Sequence, residues 1–394
     1  MPSGASRFGA PWLRGNVAAA GIVVAILVVL VGIAPRAFHV AQRHADSPTE
    51  DAMIVRVVEE FTDASSRGEQ HTRILEVAVG GRVVQVRETT IKGEANLVPP
   101  QPGDRVLVQS SAGPDGQPAY YIVDHARGRT LWLIVGLFAV LVVLVGRWHG
   151  VRSLLSLVVT YLILMRFVIP AILSGYNPLL VSVIGGVGIM ASTLVLAHGL
   201  DRKSGAAIGG TAGALVLIVA LSQLAIIAAK LTGLVGNDEA TTVFILFDGA
   251  IDARGLLLSG ILIGALGALD DVTMTQASAV FELRDANPML QGRALYQRGM
   301  RIGRDHIASI VNTLVLAYAG ASLPLLVILA SQTEGVATLL NREFLASEIV
   351  RTAVGSIGIV AAVPLTTAIA AMFASSAPPP TPARTTPSPE LVEA

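Results

Sequence analysis

Eight stretches of this chain are so apolar that none could stand exposed in water as a helix: residues 17–34, 130–148, 153–173, 178–198, 205–230, 255 to about 269 or beyond, 306–330 and 349–373. A bilayer core of about 30 Å takes roughly 20 such residues in a helix, which closes its backbone hydrogen bonds internally. The composition agrees. Of 394 residues 53% are hydrophobic and 14% charged, whereas soluble domains carry about 25% charged residues. The expected fold class is an α-helical polytopic membrane protein of about eight transmembrane helices, its environment the lipid bilayer.

Charge in the short loops orients it. The first run follows a leader, residues 1–16, that contains Arg7 and Arg14, and it ends in Ala34-Pro35-Arg36, a poor cleavage site. It is longer than the core of about 7–15 residues in a signal peptide, so it reads as an uncleaved signal anchor. Eight crossings put both termini on one side. With the N-terminus in the cytoplasm, twelve Lys and Arg residues fall inside and four (Lys230, Arg254, Arg342 and Arg351) outside. Basic residues concentrate in cytoplasmic loops, which predicts an inner-membrane protein with both termini cytoplasmic. Residues 130–374 would be a seven-helix membrane domain, and the Pro, Ser and Thr of 375–394 a disordered cytoplasmic tail.

Residues 35–129 are of a different kind, with mixed charge and alternating hydrophobicity over 53–60, 73–79, 82–88, 105–109 and 120–124. Turn signals fall at Gly80-Gly81, Gln101-Pro102-Gly103-Asp104 and Gly113-Pro114-Asp115-Gly116. Five short strands predict a small extracytoplasmic β-rich domain, OB-like, between helices 1 and 2. It lacks a basic, aromatic-rich strand face, so a spacer or protein-contact module is the simpler expectation.

Several functions are excluded. Without cysteine there are no disulfides, thiolate metal sites or cysteine nucleophiles. With 28 basic against 28 acidic residues no field attracts nucleic acid. No His-Glu-x-x-His, Gly-x-Ser-x-Gly or Walker loop occurs. No catalytic residues, cofactor or metal site are expected.

An acid inside a span costs about 2.5–3.5 kcal/mol on insertion scales and so needs a reason. The sixth span leads directly into Asp270 and Asp271, with no further charge until Glu282. If the helix continues through Leu283, then Asp271, Thr275, Ser278 and Glu282 share one face, which would line a wet path or meet a polar helix. If instead the span ends at Leu269, with a neighbouring helix thinning the bilayer, the aspartates sit among cytoplasmic headgroups. At the seventh span, Asp305, Ser309 and Asn312 share a face. Asp305 is either an N-cap and Asn312 a packing residue, or both join Asp270 and Asp271 in a cation or proton site. Gly205, Gly209 and Gly213 on the fifth span, and Gly260, Gly264 and Gly267 on the sixth, form ridges that let backbones approach. They predict a common core of helices five, six and seven. Residues 241–251 are too short to cross and are either a re-entrant half-helix or an outer amphipathic segment.

Two long segments carry a resemblance: Gly264-Ala-Leu-Gly-Ala-Leu-Asp-Asp-Val-Thr-Met-Thr-Gln-Ala-Ser-Ala-Val-Phe-Glu-Leu283 and Gly303-Arg-Asp-His-Ile-Ala-Ser-Ile-Val-Asn-Thr-Leu-Val-Leu-Ala-Tyr-Ala-Gly-Ala-Ser322. Both resemble the YibE/F family of multi-span bacterial membrane proteins. Asn341-Arg-Glu-Phe-Leu-Ala-Ser-Glu-Ile-Val-Arg351 and Gly355-Ser-Ile-Gly358 fit the same pattern, which covers the chain from about residue 146 to 373. The resemblance implies a transport role inferred from topology. It adds weight to Asp271, Glu282, Asp305 and Asn312, and none to Asp270, where the family pattern usually has a neutral residue. The resulting expectation is a carrier or channel for a small solute or ion. The alternative is a non-transporting scaffold whose outer domain binds an envelope protein.

Overall fold

The structure, a computed structural model, describes residues 21, 23–33, 49–65, 68–91, 99–112, 118–199, 201–234, 238–331 and 335–376. The leader, the tail from residue 377 and the turn at Gly113–Gly116 lie outside the described residues. Contacts divide the chain into two units, Ala41–Arg147 and a second made of Met1–Val40 with Trp148–Ala394.

The first unit carries five strands: β1 (Thr49–Ser65), β2 (Gly68–Val79), β3 (Arg82–Ile91), β4 (Arg105–Ala112) and β5 (Pro118–His125). They form one antiparallel sheet in the order β3-β2-β1-β4-β5, and the two ends of that order, β3 and β5, lie against one another. The predicted alternation sets the core. Ala52 pairs with both Val79 and Val106, Ile54 with Val77, and Leu75 with Val86, all buried. Two irregularities in β1, at Ile54/Arg56 and Val57/Glu59, bend this long strand in the manner of β-bulges. Gly80 and Gly81 take φ of 54° and 83° in the β2–β3 turn, a conformation that favours glycine at both positions. At the second predicted turn, Gln101 N donates to Asp104 Oδ2 at 2.8 Å.

The helices are α1 (Val23–Gly32), α2 (Gly128–Leu173), α3 (Pro178–His198), α4 (Arg202–Ala228), α5 (Asp238–Leu246), α6 (Ala253–Ala286), α7 (Gly292–Ala321), α8 (Leu323–Ala330), α9 (Val336–Leu340) and α10 (Glu343–Ser375). Five of them are long and apolar enough to cross a membrane: α2, α3 as far as Leu196, α4, α6 and α10. The chain is a membrane protein with a small antiparallel sheet domain near its N-terminus.

Two sequence expectations change here. The second and third predicted runs belong to one helical stretch, α2, interrupted only at Arg147, whose φ of 50° and ψ of −128° leave helical space. The predicted loop between them shrinks to that residue, where the two units also divide. The seventh run, 306–330, is not one helix. It is the second half of α7 followed by α8, separated at Ser322 (φ −96°, ψ 14°), because Pro324 cannot continue the hydrogen-bond ladder of α7. Residues 241–251 hold only the end of α5 and a turn with Asp248 and Gly249 at positive φ.

Packing in the second unit centres on α4, α6 and α10, each of which contacts the other two. The predicted ridge on α4 is used. A Cβ on Gly209 would lie 3.0 Å from Ile369 Cδ1, on Gly213 3.2 Å from Leu365, and on Gly205 3.5 Å from Phe373. The partner is α10, the eighth span, and not the sixth or seventh as expected. On α6 the approach is looser: a Cβ on Gly264 would lie 3.6 Å from the Tyr318 hydroxyl of α7 and on Gly260 3.9 Å from Arg351 of α10, while on Gly267 it would meet nothing within 4 Å, and all three glycines are exposed. A glycine pattern signals that something fits closely, not which helix does. Buried polar pairs tie the three together. Thr211 and Thr273 hydroxyls meet at 2.8 Å, and Gln276 Nε2 donates to Thr367 Oγ1 at 2.8 Å and to Gly299 O at 3.0 Å.

Candidate functional site

α6 starts at the cap formed by Asp252, whose side chain accepts from Arg254 N, and runs 34 residues without a break to Ala286. At 1.5 Å per residue that is about 51 Å. The helix therefore carries on well past Asp270 and Asp271. Its two faces differ. Ile261, Leu262, Ala265, Leu269, Val272 and Gln276 are buried. Gly260, Gly264, Gly267, Asp271, Thr275 and Glu282 are exposed and Ser278 is half-buried. These residues make one stripe of small and polar groups about 33 Å long, comparable to the hydrocarbon thickness of a bilayer.

Part of that stripe is the floor of a cavity of about 620 Å³. From α6 it is lined by Asp270, Asp271, Gly267, Thr275 and Ser278, from α2 by Ser153, Ser156 and Thr160, and from α3 by Thr193. The walls are hydroxyl-rich for a local reason. Ser153, Ser156 and Thr160 are spaced three and four residues apart, which puts them on one helical face. Thr160 Oγ1 donates back to Ser156 O at 3.0 Å.

Asp270 and Asp271 are neighbours in sequence but not in environment. Asp271 is exposed, while Asp270 turns toward α3, where the Thr193 hydroxyl donates to its Oδ2 at 2.8 Å. The Thr193 hydroxyl also lies 3.1 Å from Met190 O. It can donate to an ionised Asp270, or accept from a protonated one while turning its own proton to Met190, so the contact serves both forms. Among the described residues, two buried atoms of the lining side chains have no hydrogen-bond partner, Asp270 Oδ1 and Ser156 Oγ. Ser156 is 8% exposed. Buried polar atoms normally find a partner, which sets these two apart from the hydrogen-bonded hydroxyls of Thr160 and Thr193.

The other predicted residues lie elsewhere. Glu282 belongs to the stripe but pairs with Lys203 Nζ at 2.8 Å, in the first turn of α4. Asp305 and Asn312 are exposed on α7 and do not line the cavity, so the four-residue site joining them to Asp270 and Asp271 is not formed. The reason is steric: α7 approaches α6 and α10 through Gly299 and Gly303, whose added Cβ atoms would crowd Val280 and Val363. Nor is Asp305 an N-cap, since α7 begins thirteen positions earlier at Gly292. Sequence reasoning missed Ser153, Ser156, Thr160 and Thr193. The hydroxyl periodicity on the third span was a usable signal; the approach of Thr193 to Asp270 was not. Among the described residues no three His, Cys, Asp or Glu side chains come together around a possible metal ion.

A family model described as YibE/F-like protein matches residues 134–376, which include every residue lining the cavity. No curated protein and no solved structure matches the chain.

Proposed function

The chain belongs to the YibE/F-like family, and from that premise we propose that it is a multi-pass carrier or channel moving a small solute or ion through the cavity between α2, α3 and α6. The observation that carries the reading is Asp270, a carboxylate within a membrane helix that lines a hydroxyl-walled cavity and has one oxygen without a partner among the described residues. A charge held at that depth is costly unless it serves a pathway. Asp270 and Asp271 are the residues that would handle cations or protons; Glu282, Asp305 and Asn312 take no part.

In this reading the protein lies in the cytoplasmic membrane with both termini inside and crosses it eight times. Counted as crossings are α1, the two parts of α2 on either side of Arg147, α3, α4, α6, α7 with α8, and α10. A straight helix of the 46 residues in α2 would measure about 69 Å, more than twice the bilayer core, which supports two crossings. The outer unit is an OB-type barrel, supported by β1 lying between β2 and β4 and by the approach of β3 to β5. No enzymatic step is assigned to the chain.

The test is flux in proteoliposomes containing the full chain, under imposed proton and cation gradients. Asp270→Asn and Asp271→Asn should each abolish flux with expression and monodispersity intact. Unchanged flux in both variants overturns the reading.

One observation favours the scaffold reading as a second. Met53 and Val83 are exposed and flank Ala78 in register across β1, β2 and β3, which leaves an apolar row on the outward sheet face suited to an envelope protein. Deleting residues 45–125 would then remove function, whereas a carrier or channel would keep its flux.

A further inference from the structure

We propose that the cavity binds a hard divalent cation that keeps most of its water shell and is held by Asp270 and Asp271. As a claim about cargo this rests on the transport reading above; as a claim about binding it stands on the cavity alone.

The donor set selects the class. The polar side chains lining the cavity are two carboxylates and six hydroxyls, with no imidazole and only the Met274 thioether as a soft atom. Oxygen donors suit hard cations such as Mg²⁺, Mn²⁺ and Ca²⁺, while copper and zinc prefer nitrogen and sulfur. Charge points the same way. No basic side chain is among the lining residues, so two aspartates leave a formal charge of about −2, which a divalent ion neutralises and which repels anions.

Size then sets the hydration state. A water molecule occupies about 30 Å³ in the liquid, so 620 Å³ is far more than one bare ion fills. Two carboxylates cannot complete six-fold coordination, and among the described residues no third acid or histidine joins them. Mg²⁺ gives up water reluctantly and is commonly held through one or two carboxylates with waters completing the shell. Such a shell supplies what the walls lack. A turn of the Asp270 and Ser156 side chains toward the cavity would let bound waters donate to Asp270 Oδ1 and accept from Ser156 Oγ, the two buried lining atoms without partners among the described residues. Ser153 and Thr160 stand on the same helical face as Ser156 to take further waters.

The test is Mn²⁺ binding to the purified full-length protein, followed by the loss of the free-ion electron paramagnetic resonance signal. The expected result is one Mn²⁺ per chain beyond the sites that survive Asp270→Asn/Asp271→Asn, displaced by Mg²⁺ but not by a hundredfold excess of K⁺ at constant ionic strength. Each single aspartate variant should weaken this binding by about tenfold or more, and Ser156→Ala by less, as expected for a group reached through water. Proton resonances of bound water should persist at the occupied site and vanish in deuterated buffer. Equal Mn²⁺ binding by the parent and the double variant, displacement by K⁺, or a dehydrated ion would each overturn the proposal. If the aspartate variants fail to fold, Ser153→Ala/Ser156→Ala serves in their place, and unchanged affinity there counts against the hydrated site. Mn²⁺ binding without flux would remove the transport reading and leave the site. Proton flux that depends on Asp270 without Mn²⁺ binding would leave transport and remove the site.

Discussion

Thr193 and Asp270, on separate helices and 77 positions apart, meet at 2.8 Å across the α3–α6 interface. This single contact fixes the orientation of Asp270, because among the described residues the other carboxylate oxygen has no partner. It also fixes how the two adjacent acids differ: one is anchored toward α3 and the other exposed beside it.

Thr193→Val removes that anchor at nearly constant volume. Both Asp270 oxygens then lack a side-chain donor, a loss of about 1–3 kcal/mol by the usual cost of stranding a buried polar group. The thermal midpoint of the detergent-solubilised protein should fall in Thr193→Val and recover in Thr193→Ser. Equal midpoints for the two variants would show that the contact is incidental.

Glycines of α4 and α6 should respond oppositely to alanine. A Cβ on Gly210 would overlap the Thr366 side chain and come within 3.0 Å of its Cα, and a β-branched residue on a helix has little freedom to move aside. Gly210→Ala should cost about 1–3 kcal/mol, as overpacked cores do. On Gly264 the nearest atom is the Tyr318 hydroxyl at 3.6 Å, an ordinary contact, so Gly264→Ala should raise stability by about 0.5–1 kcal/mol, the gain of alanine over glycine inside a helix. Size-exclusion recovery after heating separates the two.

Asp305→Asn, Asn312→Ala and Glu282→Gln should leave flux within about twofold of the parent. The first two residues are exposed on α7, away from the cavity. Glu282 has a 70% exposed side chain in its pair with Lys203, the kind of ion pair that contributes about 0–1 kcal/mol. Flux lost in any of the three, with folding intact, would move the pathway toward α7 or the C-terminal end of α6.

The sequence was a better guide to elements than to their neighbours. Alternation in β1–β5 and the glycines at 80, 81 and 103 encode strands and turns locally, and the structure follows them. The uncharged run after Asp271 carries α6 onward because nothing in it stops a helix. What one segment cannot encode is which distant surface fills its groove. Gly209 and Gly213 could have received any small-faced helix, and only the three-dimensional fit of Ile369 and Leu365 selects α10. Asp305 and Asn312 were overvalued for the same reason: a shared face of polar residues says nothing of what that face meets. Pro324 was the visible sign that the seventh run would break.

The sheet domain offers a pH test of its own. Glu88 on β3 lies near Arg73, whose Nη1 is 3.6 Å from its Oε2, and it feels His125 on β5. Burial raises the Glu88 carboxyl above its ordinary value near 4.5 and outweighs the two basic neighbours. A raised folded value means that the folded state holds the proton more tightly than the unfolded chain does. This contribution is fully present below about pH 4.5 and is lost as pH rises through the folded value. Glu88→Gln, neutral throughout, should therefore gain stability relative to the parent as pH climbs from 4 to 7, with the difference levelling off once Glu88 is ionised. Hydrogen exchange of β3 amides in the full-length protein reads this directly, since local opening reports local stability. The protection difference between variant and parent should widen toward neutral pH. A difference that narrows instead would mean that Arg73 and His125, not burial, govern this carboxyl, and that ionised Glu88 helps hold β3 against β5.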